Sequence, residues 1–265
     1  MPTFRQADWY TTPHYYDILL EDDSALEGSF LEAAHARYST TRARPGGGKK
    51  PSVLEIACGS GRLLIEMASR DWQVAGLDLA PEMIEYSKQR LAKAGYTGEF
   101  RVGSMADFRF RRSFDLAHCL ISTFKHLLDE DSARDTLKCV ARSLRPGGIF
   151  VLGMHLTQYG WRHRLRERWS AERGRTKVTC NLQSWPANRS KRTERVRARL
   201  TVEERGATDR LESEWNFRTY DAKELRRLLR SVPELEHLAT YDFTYSEKRQ
   251  LNDEQLDCVL VLRKR

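Results

Sequence analysis

Residues 54–68, LEIACGSGRLLIEMA, set a cluster of small residues between a short apolar run and an amphipathic helical pattern. Gly59 and Gly61 carry no Cβ, so a turn built on them lets backbone N–H groups and a helix N-terminus approach a bound molecule closely. Such a turn serves dinucleotides, phosphates and other adenosine ligands alike, and three details separate these options. A dinucleotide fingerprint puts a third glycine in the first helical turn, where this chain has Leu64. A phosphate loop of the nucleotide hydrolases ends in Gly-Lys-Ser/Thr, and that ending is absent. What remains is Asp78 in VAGLDLAPEM, an acid closing the next apolar run. It is placed to accept both ribose hydroxyls of an adenosine ligand that lacks a diphosphate.

These residues need a scaffold that puts them at one edge. Short apolar runs alternate with helical patterns: a strand at 53–57, a helix to 70, a strand at 73–77 and a helix from Pro81 to about 93. Strands at 99–102, 115–120 and 149–154 follow, with a helix near 132–144 that LRPGG stops. A final helix begins at Asp221, where Glu224 completes a capping box, and strands near 238–243 and 255–262 close the chain. This is the signature of parallel βαβ units: an α/β, Rossmann-like, doubly wound sheet of seven strands. Ligands of such sheets bind at the carboxyl ends of the strands. His155 falls there after the fifth strand and is the candidate general base, with His126 after the fourth strand as the alternative; His118, inside that strand, reads as wall or core.

Two segments lie outside the alternation. Residues 1–48 form an aromatic-rich N-terminal arm ending in the linker-like TTRARPGGGKKPS, and 156–219 interrupt a core made of 49–155 and 220–265. The interruption holds 16 Arg plus Lys against 8 Asp plus Glu, whereas the rest of the chain is balanced at 29 of each, so the net charge of +8 resides there. Val196, Ala198, Leu200 and Val202 alternate with polar residues, as do Leu211, Ser213, Trp215 and Phe217. A turn at Gly206 that pairs Val196 with Trp215 sets Arg197 opposite Glu214 and Arg199 opposite Glu212. An antiparallel hairpin is expected, with KVTCNLQSW as a third strand, forming a lid.

The five cysteines are scattered in apolar context and no His/Cys cluster has ligand spacing, so neither disulfides nor a metal are expected. No apolar run reaches the length of a membrane span and the N-terminus has no signal-peptide order, so a cytoplasmic chain is expected.

In this order, VLEIACGSGR, VAGLDLAPEMIEYSK, FRVGSMADF, SFDLAHCLIS and LRPGGIFVLGMH resemble the successive motifs of class I S-adenosylmethionine-dependent methyltransferases. The arm with YYDIL, the inserted strands and the WNFRTYDAKELRRLL helix are similar to those of bacterial small-molecule methyltransferases. The resemblance implies that S-adenosylmethionine is the cofactor. It implies that Ala57, Cys58 and Gly59 line the methionine part and that Asp78 binds the ribose. Leu79 and Met83 would flank the adenine, Met105 and Ala106 would follow its edge, and Leu120 would lie beneath the sulfonium. Ser104 stands where the family often has a carboxylate for the adenine amino group; a hydroxyl can still accept that bond. From the arm, Tyr16 would meet the cofactor, and Tyr15 would join His126, Trp215 and Phe217 around the acceptor.

Transfer from a sulfonium is an in-line displacement that depends on holding the acceptor close and excluding water, with a base needed only where a proton must be lost early. A small-molecule acceptor is the expected partner. The alternatives are an RNA methyltransferase that uses the basic insertion, and a non-catalytic relative that only binds the cofactor. Pairing Arg197 and Arg199 with glutamates argues against RNA as acceptor, as does the missing Asn/Asp-Pro-Pro-aromatic tetrapeptide.

Overall fold

The computed structural model describes residues 3–20, 23–41 and 50–265. Most of the expected linker, residues 42–49, lies outside the described residues, as do 1–2 and 21–22 of the arm. The arm contains a two-residue strand β1 (Arg5–Gln6), helix α1 (Pro13–Leu20) and helix α2 (Ser24–Tyr38). The core then runs through β2 (Ser52–Ile56), α3 (Arg62–Ser69), β3 (Gln73–Asp78), α4 (Pro81–Lys93), β4 (Gly98–Val102), β5 (Phe114–Cys119), α5 (Glu130–Ser143) and β6 (Leu144–His155). The insertion supplies β7 (Leu165–Arg173), β8 (Thr176–Ser184), β9 (Thr193–Glu204) and β10 (Ala207–Arg218). The chain ends with α6 (Ala222–Arg230), β11 (Leu235–Tyr241), β12 (Lys248–Arg249) and β13 (Asp257–Lys264).

The large sheet has the order β12-β11-β13-β6-β5-β2-β3-β4. The five strands from β6 to β4 are parallel; β13 runs antiparallel between β6 and β11, so β11 again follows the direction of the five. The sheet has eight strands where seven were expected, because β12, too short to show an apolar pattern, adds a two-residue edge against β11. Both faces are covered. Leu54, Ile56, Leu77 and Phe150 pack with α5 and α6 residues such as Leu137 and Leu225. Val53, Val74 and Val151 pack with Leu31 of α2, Met67 of α3 and Ile84 of α4. Burial on both faces is why these strands read as continuous apolar runs. One boundary departs from expectation: LRPGG belongs to β6, because Leu144 pairs with Phe114 before the register shifts and the ladder resumes at Ile149 with Leu116.

The inserted sheet has five strands, β1-β10-β9-β8-β7. Its hairpin has the register read from the sequence, with Val196 opposite Trp215, Arg197 opposite Glu214 and Arg199 opposite Glu212. The ion pairs are arranged differently. Glu212 takes the Arg199 guanidinium at 2.5 Å and lies 3.9 Å from that of Arg197. The apolar face does not only roof a pocket: Val178, Cys180, Ala198, Leu200 and Leu211 form a third core with Trp9, Ile18 and Leu19 of the arm.

Arm, core and insertion meet at one buried carboxylate. Asp17 of α1, with no exposed surface, accepts from Ser60 Oγ at 2.8 Å, Tyr86 OH at 3.2 Å and Arg173 Nη1 of β7 at 2.7 Å. Arg90 of α4 donates to Oδ1, the oxygen that also takes Ser60, while Tyr86 and Arg173 share Oδ2. Four segments distant in sequence thus share one anion, and removing it takes a common acceptor from Arg90, Arg173, Ser60 and Tyr86 at once. Asp17→Ala is expected to destabilise the protein by about 3 kcal/mol, as for a broken buried ion pair. A urea midpoint shift would measure this, and an unchanged midpoint would contradict the role.

Candidate active site

The glycine turn connects β2 to α3 through residues that L side chains rarely suit: Ala57, Gly59 and Gly61 have φ of 57°, 51° and 72°. A Cβ on Gly61 would stand 2.8 Å from Ser87 Oγ, and one on Gly59 would stand 3.3 Å from the Tyr16 ring. Tyr16 therefore lies directly against the turn. Ser87 Oγ donates to the Gly59 carbonyl at 2.7 Å and fixes the turn from α4.

Asp78 stands at the end of β3, beside this turn. Its Oδ2 accepts from Gly59 N–H at 2.8 Å and its Oδ1 from Ala80 N–H at 2.9 Å. Burial pushes its carboxyl up, and the amides of Ala80, Gly59 and Leu79 pull it back toward the ionised form. An ionised carboxylate has about four lone-pair sites, so two remain for further donors. Leu79 beside it is 73% exposed, an uncommon setting for a leucine next to a bare turn. Met83, expected to flank the adenine, is fully buried in α4 and has no exposed surface. Ser104 Oγ accepts from Ala106 N–H at 3.2 Å, while Met105 and Ala106 pack onto the core at their half-buried sides. Cys58 and Leu120 are buried, and burial raises the Cys58 thiol well above its usual range.

Sequence reasoning missed Glu55. It sits in β2 under the turn, with one carboxylate oxygen buried and unpartnered and the other 3.9 Å from His118 Nδ1. Burial raises its carboxyl well above the usual range while Arg62 pulls the other way. Arg62 is itself held by Glu27 of α2 and by Ser24 Oγ at 3.0 Å. His118 is fully buried with both ring nitrogens unpartnered, which fits its reading as a core residue.

Of the residues expected around the acceptor, His126, Trp215 and Phe217 come together: the His126 ring lies 4.8 Å from Phe217 and 6.2 Å from Trp215. Tyr10, another residue missed, shares a 2.8 Å hydrogen bond with His126 Nε2. Burial pushes the His126 imidazole down to about 4, so at neutral pH it is uncharged. Tyr15 does not join this group; its ring lies beside His14, 5.9 Å away. His155 stands at the carboxyl end of β6, half exposed, with Nδ1 2.8 Å from Asp257 Oδ1. It borders a cavity of about 330 Å³ between the large sheet and the insertion, together with Lys125, Glu194, Phe217, Trp161 and Trp185. Lys125 is buried, and its Nζ reaches Glu194 at 3.4 Å; desolvation lowers its ammonium against that pull.

Known proteins fit this arrangement. Residues 53–148 match a family described as a methyltransferase domain. An S-adenosylmethionine-dependent methyltransferase from Clostridium acetobutylicum has the same fold, with a TM-score of 0.75 at 17% identity over 95% of this chain and 96% of that one. DesVI of Streptomyces venezuelae superposes at 0.74 and 18% over 98% of this chain and all of its own. In sequence, the dTDP-4-amino-2,3,4,6-tetradeoxy-D-glucose N,N-dimethyltransferase of Saccharopolyspora spinosa is 29% identical over 150 residues, 57% of this chain and 58% of that protein. The chain spans about half the length of the curated relatives it matches. The match over residues 53–148 covers the glycine turn and Asp78, and the chain as a whole shares the fold of these S-adenosylmethionine-dependent methyltransferases.

The neutral histidines make stability depend on pH. Burial lowers His118 to about 3, so between there and its unfolded value the unfolded chain binds more protons. Its contribution is complete above about pH 6.5 and is lost as the pH falls. Between pH 7 and 5 the wild type is expected to lose on the order of 2 kcal/mol more than His118→Leu. Urea unfolding at both pH values would show the difference, and parallel losses would refute it.

Proposed function

We propose that this chain transfers a methyl group from S-adenosylmethionine to a small-molecule acceptor. The observation that carries the proposal is the Asp78 carboxylate, tied to Gly59 N–H at 2.8 Å and to Ala80 N–H at 2.9 Å beneath the arm. That arrangement positions an anion with spare lone pairs for the two ribose hydroxyls. The residues present fit the rest of the cofactor. The unpartnered Glu55 oxygen under the turn suits the ammonium of the methionine part, and the Tyr16 ring against Gly59 suits a sulfonium face. Ala57, Cys58, Leu79, Ser104, Met105, Ala106 and Leu120 complete that side by their positions at the strand ends.

When bound, the cofactor supplies an electrophilic methyl group on a good leaving group. The chain's part is to hold the acceptor in line and keep water out. The cavity bordered by His155, Phe217 and Trp161 serves as the acceptor place, roofed by the inserted sheet as a lid. With Nδ1 engaged by Asp257, which fixes the ring, His155 keeps Nε2 to take a proton from the acceptor. His126, uncharged and bonded to Tyr10, shapes the wall between the two places. Relatives named for N,N-dimethylation of a dTDP-linked amino sugar and for O-methylation in ubiquinone biosynthesis support a small molecule as the acceptor class.

Calorimetry with S-adenosylhomocysteine tests the reading. Asp78→Ala is expected to weaken binding at least tenfold, in line with about 1.5–3 kcal/mol for hydrogen bonds to a charged group. Wild-type protein that does not bind, or a variant that binds equally well, would end the proposal.

A further inference from the structure

The inserted sheet turns one face to the arm and the other to solvent, and the outer face has its own order. Trp169 Nε1 donates to Leu19 O and Arg173 reaches Asp17, which fixes the odd-numbered residues of β7 as inward. Arg166 and Arg168 therefore point outward. Across the ladder Arg166 stands opposite Gln183 and Gln183 opposite Arg197; Arg168, Asn181 and Arg199 form the next rung. At the end of the strands Arg164, Trp185 and Arg195 make a third rung, with Trp185 N–H donating to Arg195 O at 3.0 Å.

The result is two rails of three arginines, separated by two strand spacings or about 10 Å, over a floor of Asn181, Gln183 and Trp185. Three guanidinium groups crowd the Trp185 ring, at 3.7 Å for Arg195, 5.2 Å for Arg197 and 5.7 Å for Arg164. Among the described residues no carboxylate pairs with Arg164, Arg166, Arg168 or Arg195, and Glu212 is shared between Arg197 and Arg199. Like charges gathered this way repel one another, and an anion lying between the rails removes that cost.

We propose that this outer face binds single-stranded nucleic acid, with phosphates on the arginine rails and bases over the amide and tryptophan floor. Guanidinium forks match phosphate bidentately, and flat side chains accept any base by stacking. The outward positions of β7, β8 and β9 are Arg, Ser, Glu, Lys, Thr, Asn and Gln, without one aliphatic side chain. A protein partner needs an apolar interface centre, which this face does not offer. The site shares Trp185 with the rim of the cavity beside His155 and otherwise lies on the opposite side of the insertion from the arm, and it does not require the methyl-transfer reading.

Fluorescence anisotropy with a labelled 20-mer oligouridylate tests it, on the full chain at 50 and 200 mM salt. Binding that weakens steeply with salt is expected. Arg166→Glu, Arg168→Glu and Arg195→Glu combined should weaken it at least tenfold, and the neutral triple variant with Gln at the same positions should flatten the log–log salt slope by about 2, at roughly 0.7 per lost phosphate contact. Unchanged S-adenosylhomocysteine affinity and melting temperature in both variants would show that the fold and the turn are intact. Absence of binding at 50 mM salt, or binding indifferent to both triple variants, would overturn the proposal. So would a duplex of equal length binding as tightly, or polyglutamate competing as well as the oligonucleotide; the latter would point to an acidic protein.

Discussion

A single buried anion, the Asp17 carboxylate, keeps three separate pieces of this molecule in register. An aspartate without exposed surface is costly unless its charge is answered, and here Arg90 and Arg173 answer it from α4 and β7 while Ser60 and Tyr86 fill the remaining lone pairs. Its partners lie 43, 69, 73 and 156 positions away in sequence. No two of the arm, the glycine turn and the insertion can shift independently without breaking this set. The third hydrophobic core, where Ile18 and Leu19 meet Val178 and Leu200, acts in the same direction but without the directionality of charge-assisted hydrogen bonds.

That constraint gives the glycine turn its surroundings. Ser60 is the residue between the two glycines, so the contact that anchors the arm also fixes the turn, and it carries Tyr16, next to Asp17, against Gly59. Asp78 fixes the turn from the other side through Gly59 N–H, and Ser87 from below through Gly59 O. A loop held by three separate hydrogen bonds is preorganised, so little ordering remains to be done on binding. Beneath it Arg62 pairs with Glu27 and ties α3 to α2, and Glu55 of β2 lies buried nearby with its Oε2 facing no protein donor.

Local signals carried much of this into the sequence. Gly59, Gly61 and Asp78 are legible because a turn between a strand and a helix needs particular residues at particular offsets, and the Val196–Trp215 register is legible because alternation admits no one-residue slip. What stayed hidden has physical reasons. Strand β7, LRERWSAER, is an edge strand exposed along most of its length, so it has no apolar stripe beyond Leu165, Trp169 and Ala171. Strand β1 is two residues long and owes its existence to β10. Asp17 looks like any acid on an arm helix until long-range contacts surround it, and Glu55 is masked by the apolar run it interrupts. LRPGG carries the signals of a helix stop, which it is, yet pairing with Phe114 also makes it the start of a strand. Met83 fell on the right helix, on its buried side.

The account stands on the arm, the turn and the insertion acting as one unit around the site at Asp78. Amide hydrogen exchange with and without S-adenosylhomocysteine measures this directly. Slowed exchange is predicted in residues 9–20, 57–62 and 165–173 together. Protection confined to 57–80, with the arm and β7 exchanging as before, would contradict it.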